Sequence, residues 1–112
     1  MSYKDESGEV NVVSRIEPGR CVVVVLREPK EKCWGVLDEI NSTGVYLRGL
    51  DLGAFDDWVH AVKHDEPFIA PASLFFPLWR VERIALDERT GELPSLAEQF
   101  EQRTNRSVYD FY

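Results

Sequence analysis

The spacing of apolar residues changes character several times along this chain, and each change marks a different kind of element. Cys21–Leu26 reads CVVVVL, a continuous apolar run of the kind expected from a strand buried on both faces. Arg27-Glu28-Pro29-Lys30-Glu31-Lys32 is a charged turn punctuated by Pro29. Cys33–Ile40 follows as a second strand, and Gly35 within it is placed to let that strand coil sharply. Asn41-Ser42-Thr43-Gly44 is a hairpin signal, with Gly44 suited to the left-handed position of a short loop. Val45–Leu50 alternates, Val45 and Leu47 on one side and Tyr46 and Arg48 on the other, and forms the third strand.

Beyond Asp51 the period lengthens. Ala54, Phe55, Trp58, Val59 and Val62 recur at helical spacing, with Asp56, Asp57, His60 and Lys63 opposite. This predicts a short amphipathic helix near residues 53–64, with Asp51 as its cap. Phe68–Phe76 returns to extended structure, and Pro71 within it points to an edge strand or a bulge. Pro77-Leu78-Trp79-Arg80 is a tight turn and Val81–Leu86 a fifth strand. Ser95-Leu96-Ala97-Glu98 has the form of a capping box and opens a helix that runs to about Thr104.

The ends of the chain carry weaker signals. Residues 1–9 are expected to be a disordered leader, and Val10–Ile16 fits a short helix or a strand, its β-branched residues favouring the strand. The tail from Asn105, NRSVYDFY, receives no assignment. The organisation expected is a single domain over residues 1–112. Its barrel occupies 10–86, with the helix inserted near 53–64, and 87–112 form a C-terminal helix and tail.

Composition supports a packed core. The chain has 112 residues, 44% hydrophobic and 12% aromatic, enough to bury a core without disulfides or a structural metal. Its net charge of −7 repels a phosphate backbone, so nucleic acid is not the expected ligand. No run reaches the ~20 apolar residues that a membrane helix needs. The start, MSYKDESGEV, is too polar for a secretory signal, and the expected compartment is the cytoplasm. The two cysteines suit that compartment. With a turn at Glu28–Lys32, Leu26 would face Cys33 and Cys21 would face Asp38, which holds the thiols too far apart for a bridge.

Five short strands with a tight turn before the last resemble the Sm-like barrel over roughly residues 12–86, within the wider group of SH3-like barrels. Gly19-Arg20 resembles that family's lead-in to the first strand. Gly35-Val36-Leu37, through Asn41 and on to Leu47, resembles its bent second strand, loop and third strand. Phe76-Pro77-Leu78-Trp79-Arg80-Val81-Glu82-Arg83-Ile84 is similar to its ending. The fold expected is therefore mainly β, a five-stranded Sm-like or SH3-like barrel with a short inserted helix and a C-terminal helix. The resemblance does not bring an RNA site with it. Asp38 and Asn41 correspond only approximately to the family's nucleotide-holding pair, and Phe75-Phe76-Pro77 stands where the family has Arg-Gly or Lys-Gly. The chain's own Arg48-Gly49 lies at the end of the third strand.

Candidate chemistry is sparse. His60 and His64, four apart near Asp56, Asp57 and Asp65, could share a face as metal ligands, and a metal-dependent enzyme centred on them is one alternative. The same residues also suit a solvated helix face, with acids at its start and Lys63 and His64 at its end. There is no HExxH, nucleophile motif or glycine-rich phosphate loop, and Asp38 and Glu39 would point to opposite faces of a strand. No catalytic residue, cofactor or metal is assigned. The aromatic run is the strongest unusual feature. Leu74-Phe75-Phe76 must project onto both faces of its strand, so one face fills the barrel and the other needs a cover. In Sm-like rings the fourth strand pairs with a neighbour's fifth, which implies a homo-oligomer or a protein partner here. The expected interface is Phe68, Leu74, Phe75, Phe76 and Trp79. Coverage by the inserted helix or by Ser95–Thr104 is the equal alternative, and an RNA-binding Sm-like protein is the second functional reading.

Overall fold

A computed structural model describes residues 15–68 and 71–112, together with the backbone of Tyr3–Lys4 and Val10–Asn11. Those two pairs of residues form a small antiparallel ribbon. The rest of the expected leader, and residues 12–14 of the ambiguous stretch, lie outside the described residues.

Five strands form one antiparallel sheet: β1 (Cys21–Leu26), β2 (Glu31–Ile40), β3 (Gly44–Asp51), β4 (Ala72–Pro77) and β5 (Val81–Leu86). Their order is β4-β3-β2-β1-β5, so β4 and β5 are the two edges. The chain is mainly β, with five antiparallel strands and two helices as expected; among the described residues β4 and β5 do not pair, so the sheet is not closed. Helix α1 (Phe55–Lys63) stands between β3 and β4, and α2 (Leu96–Thr104) follows β5.

The β1–β2 register also differs from expectation. Leu26 faces Glu31, Val24 faces Cys33 and Cys21 faces Val36. The turn is shorter than the charged run suggested, because Glu31 and Lys32 already belong to β2. Both thiols are buried and free.

The sheet buries both faces, and the alternation along each strand decides which residue goes where. On one face Val22, Val24 and Leu26 of β1 meet Cys33 and Leu37 of β2, Val45 and Leu47 of β3, and Phe76 of β4. Leu74, Val81, Ile84 and Leu86 pack against this cluster while only half-buried. All five strands therefore contribute to one core. On the other face Cys21, Trp34 and Leu50 pack under Phe55, Trp58, Val59 and Val62 of α1, Phe100 of α2, and Val108. Trp58 stacks on Phe100 at 4.3 Å between ring centroids, and Phe111 sets its edge against both.

β2 and β3 approach closely at a pair of glycines facing one another, Gly35 and Gly49. A Cβ on Gly35 would strike the Arg48 carbonyl and the Gly49 Cα, and one on Gly49 would strike the Trp34 carbonyl. The backbones approach this closely only because neither residue has a side chain. A bulge between Leu37 and Glu39 then leaves Asp38 without a partner on β3.

Capping follows the sequence at α2 and departs from it at α1. Ser95 Oγ accepts from Glu98 N at 3.1 Å and Glu98 Oε1 accepts from Ser95 N at 2.9 Å, completing the capping box. Asp51 is the last residue of β3 and makes no side-chain cap; a 3-10 turn over Leu52–Ala54 leads into α1 instead.

Candidate functional site

The aromatic stretch divides between core and surface once the strands are in place. Phe76, 7% exposed, belongs to the core shared by all five strands. Phe75 lies on the opposite face, 45% exposed, against its cross-strand partner Tyr46 at 4.8 Å. Leu74 is half-buried beside Phe76, and Phe68 touches Phe111 at 5.8 Å. Trp79, 58% exposed, sits in the 3-10 turn between β4 and β5, where its carbonyl accepts from Arg27 Nε at 2.8 Å. The structure thus assembles Phe68 and Leu74 on one side of the β4 edge and places Phe75 on the other face. Trp79 stands at the far end of β4.

Between α1 and β4 opens a groove of about 860 Å³. It exists because β4 begins at Ala72, opposite Gly49, so that Leu50 and Asp51 of β3 extend past the start of their neighbour. Trp58, Phe68, Leu74 and Phe76 are its large apolar walls, while Gly49, Ala54, Ala61 and Ala72 keep it open. Trp58 is 2% exposed, and its indole N–H has no acceptor among the described residues.

Charge at this groove has one sign. Glu31, Asp51 and Asp57 line it, and no Lys, Arg or His is among its described lining residues. Glu31 is held by Arg80 at 3.3 Å, but among the described residues Asp51 and Asp57 have no ion-pair partner. The thiol of Cys33, also in the lining, responds to this setting. Burial first, then the carboxylates of Asp51 and Glu31, push it up to about 11.

The other candidate groups do not converge. His60 on the exposed face of α1 and His64 just past its end lie with their rings tilted, 4.4 Å between centroids, and His60 Nε2 is 3.8 Å from Glu66 Oε1. Among the described residues no three His, Cys, Asp or Glu side chains gather as metal ligands. Asp56 is paired with Arg103 of α2 at 2.8 Å. Asn41, one of the two residues compared with an RNA-holding pair, is occupied by its own turn. Its Oδ1 accepts from Thr43 N at 2.9 Å and its Nδ2 donates to Glu39 at 2.6 Å.

Sequence reasoning missed Cys33, Trp58, Ala61 and Ala72 as groove residues. Each has a sufficient local explanation as a strand or helix core position, and only the late start of β4 places them around one opening. Compared with protein-family models, curated proteins and solved structures, the chain matches none.

Proposed function

We propose that this protein is a non-catalytic self-associating module of Sm-like type, in which β4 of one copy pairs with β5 of the next. One observation carries the reading: a core built from all five strands is left half-covered at both of its edges. Leu74 borders the β4 edge, and Val81, Ile84 and Leu86 lie along β5, all packed on the same cluster and all partly open to solvent. Each edge also presents a row of backbone N–H and C=O groups with no strand beside it among the described residues. A β4–β5 contact between copies satisfies both rows and covers both apolar margins at once. The two surfaces are different, so the contact is head-to-tail, and it closes into a ring when the rotation between copies allows.

The test is native mass by light scattering on a sizing column across a concentration series. A stable species of several subunits is expected, and Phe75→Asp, which places a charge on β4 without entering the core, should reduce it to single chains with an unchanged circular dichroism spectrum. A monomer at every concentration overturns the proposal.

A further inference from the structure

Beyond self-association, we propose that the groove between α1 and β4 is a binding site for a lipophilic cation, an apolar body carrying a protonated amine. Three features of the groove select this chemistry. Its volume, about 860 Å³, falls within the range of roughly 300–1,000 Å³ typical of small-molecule sites. Its walls are apolar and aromatic: Phe68 and Leu74 present side-chain surface that an alkyl or aryl body would cover, with the buried Trp58 and Phe76 behind them. Its charged groups are carboxylates alone, and two of them, Asp51 and Asp57, have no cation of the protein's own beside them among the described residues.

The alternatives fit less well. An anionic amphiphile of the same size would bring its charge to three carboxylates, at a Coulombic cost that the apolar walls must offset. A neutral one would leave Asp51 and Asp57 as they are. The ammonium group gains attraction from both and keeps part of its hydration at the exposed rim.

The experiment uses three eight-carbon probes below their aggregation limits at pH 7: octylamine, 1-octanol and octanoate. Binding is read by tryptophan fluorescence and calorimetry, and occupancy by the rate at which Cys33 is alkylated, followed by peptide mass. Octylamine is expected to bind about fivefold or more tightly than octanol, the scale of one or two partly exposed charge pairs, with octanoate weakest. It should also slow alkylation of Cys33. Asp57→Asn should erase most of the preference for the amine while leaving octanol unchanged. Ala72→Trp, at an exposed position in the groove wall, should block all three.

Both wild type and Phe75→Asp are to be measured, because Phe75 lies outside the groove and failure of self-association is then separable from failure of this site. Equal affinity for the three probes, or no binding by any of them in either protein, overturns the proposal. So does protection of Cys33 that appears only as protein concentration rises, since a second copy is then the occupant.

Discussion

Asp87 has a structural role that sequence pattern did not single out. It follows β5, and its carboxylate accepts from Leu96 N at 2.7 Å, Ala97 N at 2.9 Å and Trp34 Nε1 at 3.0 Å. One group therefore satisfies two free amides at the start of α2 and ties that helix to a fully buried tryptophan of the sheet. Asp87→Ala should cost about 2–3 kcal/mol in urea unfolding, the scale of lost charge-assisted bonds at a half-buried site. Asp87→Asn, which keeps one acceptor, should cost less. The adjacent capping box was legible because Ser95 and Glu98 are close in sequence, whereas Asp87 reaches Trp34 across 53 residues.

Cys33 supplies a pH test at the same scale. The native thiol keeps its proton to about 11, above the ordinary value of 9.0. The unfolded chain therefore loses that proton first as pH rises. This contribution to stability is complete below pH 9 and declines as pH climbs toward 11. The difference in urea midpoint between wild type and Cys33→Val should accordingly shift against wild type between pH 9 and pH 11, a range set by these two values. A difference that stays constant with pH would mean that neither burial nor the carboxylates of Asp51 and Glu31 raise this thiol.

At the scale of elements, the close approach of β2 and β3 depends on two glycines. Gly35 announces a bend in sequence, but its partner does not. Arg48-Gly49 has the form of a binding dipeptide in the wrong strand, and the structure gives Gly49 a different purpose: it makes room for Trp34 and Gly35. Gly49→Ala should therefore destabilise the protein by about 1–3 kcal/mol, toward the upper end because the obstructing atoms are backbone and cannot rotate away. Gly91→Ala is a useful contrast. Nothing lies near its Cβ position, and its cost should come only from the positive φ of +61°. If the two substitutions cost the same, close packing is not what Gly49 is for.

For the molecule as a whole, the two helices and the C-terminal turn cover one face of the sheet but not the outward aromatic of β4 that one sequence expectation assigned the helices to cover. Trp58, Phe100, Phe111 and Val108 form that cover. They do not extend over the Tyr46–Phe75 pair or over the margins of the opposite face. Self-association built on strand pairing and apolar contact should survive added salt. With a net charge of −7 per chain, salt also weakens repulsion between copies, so the native mass should hold or rise between about 0.05 and 0.5 M salt. A mass that falls over that range would point to an interface held by ion pairs instead.

What this sequence determined alone is local. The run CVVVVL, the alternation through Val45–Arg48, the helical spacing of Phe55, Trp58, Val59 and Val62, and the S-x-x-E cap each depend on neighbours a few residues away. The corresponding elements form close to the expected positions. Tertiary structure decided what local pattern leaves open: the β1–β2 register, the open edges of the sheet, the docking of α2 on Asp87, and the groove. The register depends on where the charged turn ends, which its residues do not mark, and the open edges follow from β5 pairing with β1, far back in the chain. A groove is space left between elements, and no residue's own pattern encodes where a neighbouring strand will begin.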